Sequence, residues 1–183
     1  MLDFLKSRRS VLARNMAEPG PSAAMLREFL TAAARVPDHG KLAPWRFVVL
    51  EGQSRIALGR VAAKALDDVV DDADDAVLHQ FERAPCVVAV LAAPVAHPKI
   101  PRAEMIYSAG AACMNLLIAA QAQGFAAQWL TGAAAYAPQV IQALGGTEGD
   151  EIAGFIYIGT ATERPSDRVR PKLDDIVQYG LSQ

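Results

Sequence analysis

The chain has 183 residues, of which 52% are hydrophobic, and a formal net charge of −2. This is enough to bury one hydrophobic core but too short for two, so we expect a single domain over residues 1–183. Acidic and basic residues are interspersed, which argues against a surface for nucleic acid or anionic membranes, since such surfaces need an excess of lysine and arginine. The expected partners are small molecules or a second copy of the chain.

The first ten residues contain no apolar run of signal-peptide length, so we expect a cytoplasmic protein. The nearly apolar run from Ala109 to Ala120 is too short for a membrane span and is expected to form a buried helix. Cys86 and Cys113 both fall in apolar segments and are interpreted as reduced core thiols. The three histidines stand far apart without ligand spacing, so no metal site is expected.

Apolar residues at positions 2, 4 and 5 predict a short N-terminal helix, which leads into the cluster Arg8-Arg9-Ser10. A Pro/Gly linker from Asn15 to Pro21 follows. Ser22 is a candidate N-cap for a helix from Ala23 to Arg35, whose apolar residues have helical spacing. The next two predicted elements are a strand and a helix, Arg46 to Glu51 and Ser54 to Leu66.

The segment from Arg35 to Phe47 reads R-V-P-D-H-G-K-L-A-P-W-R-F, a composition unsuited to the interior of a helix or strand. Pro37 disfavours helical geometry at the preceding residue, and Pro44 is expected to hold Ala43 in an extended conformation. The segment is therefore a shaped loop. It either connects a helix to a strand or carries part of a functional site, and its histidine and tryptophan favour the second interpretation.

Six aspartates occur between Asp67 and Asp75. The segment lacks the spacing and the terminal glutamate of a calcium-binding loop. We interpret it as a solvated surface segment.

A continuous apolar run from Cys86 to Ala93 predicts a central strand buried on both faces. A long helix, apolar nearly all round, is predicted from Ile106 to Gln123 and is ended by Gly124. The remaining predicted elements are a strand, a helix and a strand: Ala126 to Leu130, Pro138 to Leu144 and Ile152 to Ile158. About four strands interleaved with five or more helices indicate an α+β or α/β domain.

No glycine-rich phosphate loop and no G-x-S-x-G nucleophile elbow occurs in the sequence. A bound phosphate would therefore be held by guanidinium groups, and the candidates are Arg8 and Arg9 near the N-terminus with Arg168 and Arg170 in the tail. Anion-binding groups without a catalytic triad are typical of a protein whose bound cofactor supplies the reactivity.

Several motifs together resemble the FMN-dependent nitroreductase superfamily, specifically its compact single-domain subgroup. They are R-R-S, P-D-H-G-K-L-A-P-W-R-F, W-L-T-G and, near the end, Gly159-Thr160 followed by R-V-R-P. The resemblance extends from Ser7 to about Lys172. It implies an α+β fold in which helices flank a mixed central sheet in three layers, and a homodimer that binds FMN at its interface.

The resemblance also implies roles for individual residues. Arg8, Arg9 and Ser10 would contact the phosphate and the ribityl or ring polar groups of FMN, assisted by Arg168 and Arg170. Arg35 and His39 would reach the same FMN from the partner subunit. The isoalloxazine would be lined by Trp129, Leu130, Thr131 and Gly132, and NAD(P)H by Ala119, Ala120, Gln121, Ala122, Gln123 and Gly124. Helix burial is the alternative explanation for this last group.

The loop departs from the P-S-S-x-N-x-Q-P-W pattern of many members of the superfamily. Asp38 and His39 replace the serines, Lys41 stands at the asparagine and Ala43 at the glutamine. A cation from Lys41 or His39 near the flavin pyrimidine would stabilise the anionic reduced form and raise the reduction potential. His39 is also a candidate proton donor, and we identify no firm catalytic residue.

The function implied by the resemblance is hydride transfer from NAD(P)H to FMN, followed by reduction of a small acceptor such as a nitroaromatic or a quinone at the same face. One site that serves both steps predicts ping-pong kinetics. Two alternatives remain: a flavin carrier or sensor without physiological turnover, and a flavin-free interaction protein built on a helical dimer face.

Overall fold

A computed structural model describes residues 1–67 and 74–181. At its centre lies a five-stranded sheet in the order β1-β5-β3-β2, with β4 also paired to β5. The strands are Met16–Ala17 (β1), Trp45–Glu51 (β2), Cys86–Ala92 (β3), Ala126–Leu130 (β4) and Glu151–Ala161 (β5). The long strand β5 pairs with β3 along one edge, while β4 and then β1 pair with it along the other.

Helices cover both faces of this sheet. They are Leu2–Ser7 (α1), Ala23–Ala33 (α2), Gln53–Leu66 (α3), Asp74–Leu78 (α4), Arg102–Ala122 (α5) and Pro138–Ala143 (α6). Helices α2 and α5 pack together on one face, and α3 packs with α6 on the other. The predicted α+β fold with three layers is therefore confirmed.

The sheet differs in one respect from the mixed sheet that was expected. Every pairing between the described strands is antiparallel. Between β2 and β3 the described residues include the helices α3 and α4, which pack on each other. Strand β3 begins at the end of the sheet where β2 stops, whereas a parallel neighbour needs a crossover to the other end.

Strand β3 lies in the middle of the fold, and all seven of its residues are buried. Successive side chains of a strand point to opposite faces, so β3 supplies both cores. One core contains Val87, Ala89 and Leu91, and the other contains Cys86, Val88 and Val90. The prediction of a central strand buried on both faces is confirmed.

The two cysteines are free and buried, as expected for core thiols. Burial raises the pKa of the Cys113 thiol to about 12. Burial and then the nearby carboxylate of Glu51 raise the pKa of the Cys86 thiol to about 12. Both side chains therefore stay protonated at neutral pH and pack as small apolar groups.

The long helix α5 has 21 residues and starts at Arg102, four positions before the predicted start. Its first turn contains the charged residues Arg102 and Glu104 and lies outside the nearly apolar run from which the helix was predicted. By length and composition α5 could cross a membrane. In the fold it packs against α2 and the sheet, which accounts for its composition. Its buried residues are Met105, Ser108, Ala109, Ala112, Cys113, Leu116, Leu117 and Ala120.

The N-terminal third largely follows the sequence pattern. The Ser22 hydroxyl accepts a hydrogen bond from the Met25 amide at 3.3 Å and caps α2 as predicted. The predicted Pro/Gly linker contains the short strand β1, which is too brief to show a period.

Most of the acidic segment predicted from Asp67 to Asp75 lies outside the described residues, at positions 68–73. Within the described ranges no three potential ligands cluster as a metal site would require.

The loop before β5 is held by the carboxylate of Asp150, whose side chain is only 6% exposed. This carboxylate accepts hydrogen bonds from the Thr147 amide at 2.7 Å, from the Thr147 hydroxyl at 3.1 Å and from the Arg46 guanidinium. Burial alone would raise the pKa of the Asp150 carboxyl, but these bonds outweigh burial and hold the pKa below its ordinary value of 3.8.

We predict that Asp150→Asn lowers the free energy of unfolding at pH 7 by about 1–2 kcal/mol, because charged hydrogen bonds are replaced by weaker ones. A carboxyl with a depressed pKa stabilises the fold fully above its unfolded-state pKa and loses that contribution as the pH falls through the folded-state value. The difference between the variant and the wild type should therefore shrink below about pH 4.

Urea unfolding followed by circular dichroism across a pH series would measure this difference. Glu148→Gln is the matched control, since Glu148 is an exposed acid of the same loop. A stability difference that stays constant down to pH 2 would contradict the assigned role of Asp150.

Candidate functional site

The amide of Gln121 on α5 anchors the N-terminal arm, residues 8–10. Its Oε1 accepts a hydrogen bond from Arg8 Nε at 2.8 Å, and its Nε2 donates to the Arg9 carbonyl at 2.7 Å. Nε2 also lies 3.5 Å from the carbonyl of Ala127 on β4. One side chain therefore fixes the arm against the end of α5 and the start of β4.

Three guanidinium groups lie close together at this arm. Burial, then the charges of Arg170 and Arg9, lower the pKa of Arg8. No ion pair in the described part of the chain involves Arg8 or Arg170. Arg9 donates to the Ser166 carbonyl and lies 3.7 Å from the Asp167 carboxylate. This cationic cluster, Arg8 with Arg9 and Arg170, carries more positive charge than its neighbours balance and is suited to an anion.

Of the two arginines predicted to assist from the tail after β5, the structure places the charge of one near Arg8. Residues 162–181 are exposed, and the charge of Arg170 acts on Arg8. The backbone amide of Arg168 donates a hydrogen bond to Asp167 Oδ1 at 2.7 Å. The structure thus brings Arg170 to the cationic cluster, while the role predicted for the Arg168 side chain stays a prediction.

The indole ring of Trp129 forms a flat aromatic surface near the end of β4. Trp129 Nε1 donates to the Ala153 carbonyl at 3.0 Å, and the indole is 36% exposed. A Cβ at Gly154 would overlap the indole, so the glycine lets the ring lie directly on β5. Leu130 packs partly into the core, and Gly132 turns the chain with φ of 68°. The predicted segment 129–132 therefore forms a surface of one aromatic ring and an open backbone turn.

The loop between α2 and β2 differs in backbone conformation from the predicted one. The carboxylate of Asp38 accepts hydrogen bonds from the amides of Leu42 and Ala43, both at 3.0 Å. Lys41 and Ala43 have positive φ values of 57° and 45°. The expected extended conformation of Ala43 is wrong, because the two bonds to Asp38 hold the backbone in the left-handed region despite Pro44.

Side chains of α5 tie this loop down. Ser108 Oγ donates to the Pro37 carbonyl at 2.6 Å, and Asn115 Nδ2 donates to the Arg35 carbonyl at 3.2 Å. The loop backbone is therefore fixed on α5, and Arg35 at its start is exposed.

His39 borders a shallow cavity beside the first turns of α5. Its Nδ1 lies 2.7 Å from Glu104 Oε2. The cavity has a volume of about 290 Å³ and is lined by Pro37, His39, Glu104, Tyr107, Ser108 and Ala111. Glu104 was not predicted from the sequence. An acid in the first turn of a helix is explained by the helix dipole, and its partner lies 65 positions away.

The predicted cofactor residues fall into two groups in a single chain. One group surrounds Arg8, which is bonded to Gln121, and the other surrounds His39, which is bonded to Glu104. Gln121 and Glu104 lie near opposite ends of the 21-residue helix α5, so about 25 Å of helix separates them at 1.5 Å per residue. The two groups do not converge within one chain.

The residues of segment Ala119–Gly124, which are predicted to contact NAD(P)H, differ in their burial and contacts. Ala120 is fully buried in the core between α5 and the sheet, so its side chain offers no surface to a nucleotide in this structure. Gln121 is engaged with the arm. Residues 122–124 are exposed, and a cavity of about 340 Å³ lies beside them, lined by Met25, Glu28, Phe29, Ala32, Ala119, Ala122 and Gln123.

Comparison with known proteins agrees with this architecture. The model of the nitroreductase family matches residues 5–160. The chain is 38% identical over 174 residues to an Escherichia coli K12 protein named "Putative NAD(P)H nitroreductase YdjA", with 92% of each chain covered. It is 34% identical over 174 residues to a Haemophilus influenzae protein named "Putative NAD(P)H nitroreductase", again with 92% of each chain covered.

Solved structures share the fold. A nitroreductase-like protein from Bacillus cereus superposes with a TM-score of 0.84 at 22% identity, covering 97% of this chain and 94% of that one. A nitroreductase from Desulfovibrio desulfuricans, solved in complex with FMN, superposes with a TM-score of 0.75 at 21% identity, covering 99% of this chain and 97% of that one. With the family model matched over most of its length, the chain belongs to the nitroreductase family.

Proposed function

We propose that the protein is an FMN-dependent oxidoreductase that takes a hydride from NAD(P)H and reduces a small acceptor, such as a nitroaromatic or a quinone, by a ping-pong mechanism. Family membership supports the reaction class, and the names of the relatives include NAD(P)H as the donor. Buried free thiols suit the cytoplasm, which we propose as the compartment. The observation that carries the proposal is the cationic cluster, whose arm Gln121 fixes beside β4, the strand that contains Trp129.

The residues of this site fit the chemical groups of FMN. The cationic cluster provides guanidinium donors for a phosphate, and no carboxylate of the described residues pairs with Arg8. The Ser10 hydroxyl lies 3.2 Å from Arg8 NH2, within reach of the same ligand. The Trp129 ring and the turn at Gly132 offer a flat apolar surface next to exposed backbone. Arg168 is proposed to assist from the tail.

When bound, FMN would supply the chemistry of hydride acceptance and electron transfer to the acceptor. The protein would supply binding and orientation. Gln121 holds the arm, so the guanidinium groups are presented in a fixed frame before the ligand arrives. We propose that NAD(P)H contacts residues 122–124 and the cavity beside them, which Ala119 borders. Ala120 is left out of this proposed contact because it is buried.

We further propose that a second copy of the chain completes the site. Helix α5 carries an apolar stripe at helical spacing, in which Tyr107 is exposed and Ala111, Met114 and Ile118 are half-buried. Tyr107 is 73% exposed, and Leu2 and Leu5 of α1 are 64% and 43% exposed. Such a surface favours burial against another copy. The partner's loop would then bring Arg35, His39 and Lys41 to the cationic cluster, which they do not reach within one chain.

Anaerobic stopped-flow reduction is the direct test of the proposed reaction. We expect NADH or NADPH to bleach the flavin absorbance of the FMN-loaded protein, and a subsequent acceptor to restore it. Initial rates at several fixed acceptor concentrations should give parallel double-reciprocal lines. Bound flavin that neither nucleotide reduces would instead support a carrier or a sensor.

The cationic cluster makes a prediction about ligand choice. Arg8→Gln should weaken FMN binding by about 10–100-fold, because a charged hydrogen bond to phosphate contributes about 1.5–3 kcal/mol. Its effect on riboflavin, which has no phosphate, should be much smaller. Flavin fluorescence titrations measure both affinities. Arg60→Gln, at an exposed arginine of α3, is the matched control. Equal losses for FMN and riboflavin would contradict phosphate binding by Arg8.

Subunit complementation tests whether the site is shared. Chains carrying Arg8→Gln and chains carrying His39→Ala should each form dimers that bind FMN weakly. A dimer with one chain of each kind would contain one intact site and one doubly defective site, and should bind about one FMN per dimer with wild-type affinity. If each site belonged to one chain, the mixed dimer would contain no intact site. Differently tagged, co-expressed chains allow its isolation.

A further inference from the structure

A carboxylate faces the imidazole of His39 at the start of α5. His39 Nδ1 and Glu104 Oε2 are 2.7 Å apart, which is the distance of a strong hydrogen bond. The side chains are 61% and 45% exposed, so the pair borders the cavity of about 290 Å³ and remains accessible to a ligand. The pair is separate from the cationic cluster of the same chain.

Hydrogen bonds to the backbone fix the loop that carries His39 relative to Glu104. The carboxylate of Asp38 bonds the amides of Leu42 and Ala43 and closes the loop on itself. Ser108, one turn after Glu104 on α5, donates to the Pro37 carbonyl at 2.6 Å. The loop that carries His39 is therefore fixed to the helix that carries Glu104, and the contact between them does not depend on two freely moving side chains.

This contact selects one form of the imidazole. A carboxylate accepts hydrogen bonds, so the hydrogen lies on Nδ1 of His39. In the neutral ring Nε2 then keeps its lone pair and is a hydrogen-bond acceptor. Within the described residues no hydrogen bond to Nε2 is formed. The second nitrogen is therefore available at the edge of the cavity.

We propose that Glu104 is a positioning residue, which fixes His39 in the Nδ1–H form so that Nε2 accepts a hydrogen bond from an N–H group of the flavin ring system. The identity of that ligand rests on the proposed function. The orienting contact itself is a property of the chain without ligand. A site arranged in this way favours a ring that presents a donor at this point, such as the imide of the flavin pyrimidine.

Nitrogen NMR of the ligand-free protein tests the positioning directly. In the wild type, at a pH where the ring is neutral, His39 should show one protonated nitrogen, Nδ1, and one unprotonated nitrogen, Nε2. Glu104→Gln offers both a donor and an acceptor, so the two nitrogen shifts of His39 should move toward each other. His39→Ala assigns the signals. Unchanged shifts in Glu104→Gln, or a neutral wild-type ring whose hydrogen lies on Nε2, would overturn the proposal.

FMN affinity tests the consequence. Glu104→Gln and His39→Ala should each weaken FMN binding by about three- to tenfold, the loss of one neutral hydrogen bond. The double variant should bind FMN no more weakly than His39→Ala, because Glu104 acts through the imidazole. An additive loss, or full affinity in Glu104→Gln, would overturn the role. If the wild type bound no FMN, the proposed function and the assigned ligand would both fail, while the NMR result would still decide the positioning.

The chain offers a matched control in a second pair of the same kind. His79 Nδ1 lies 2.6 Å from Glu82 Oε1, and both residues are remote in sequence from the loop. Glu82→Gln removes the same charge and changes the same kind of contact. It should shift the nitrogen signals of His79 and leave FMN affinity unchanged. An equal loss of FMN affinity in Glu82→Gln would show a general effect of charge or stability and would overturn the proposal.

Discussion

The close packing of α5 against the sheet is the constraint on which the rest of the structure depends. Alanines at positions 109, 112 and 120 are fully buried, and small side chains let the helix approach β3 and β5 closely. The helix is long enough that its two ends serve different regions. Its position therefore sets where each polar side chain that projects from it can act.

Those polar side chains organise the candidate site. Near the C-terminal end of α5, Gln121 bonds the N-terminal arm, and near the other end Ser108 and Glu104 bond the loop that carries His39. Each of these contacts joins segments far apart in the sequence. The same helix that separates the two groups within one chain also carries the apolar stripe through which a second copy would bring them together.

Charge explains why the arm is suited to a ligand. Arg8 is partly buried beside the charges of Arg170 and Arg9, which costs free energy, and the lowered pKa of Arg8 reflects this cost. Among the described residues, Arg9 forms an ion pair with Asp167 of the exposed tail, whereas Arg8 and Arg170 form none. A bound phosphate would offset the remaining repulsion. In contrast, the Arg46 and Asp150 pair is balanced and supported by Thr147, as expected for a contact that stabilises a loop.

The sequence pattern of single segments determined most of the helices and strands, because burial of one or both faces produces a regular spacing of apolar residues within each segment. Strands β3 and β4 lie where apolar runs predicted them, and Ser22 caps α2. The arginine-rich arm and the shaped loop were also recognisable from composition and motif. Tertiary structure alone decided the left-handed Ala43, the burial of Ala120, the strand β1 and the pairing of His39 with Glu104. Each of these depends on contacts between residues distant in the chain, whose energies exceed local preferences and leave no period in the sequence.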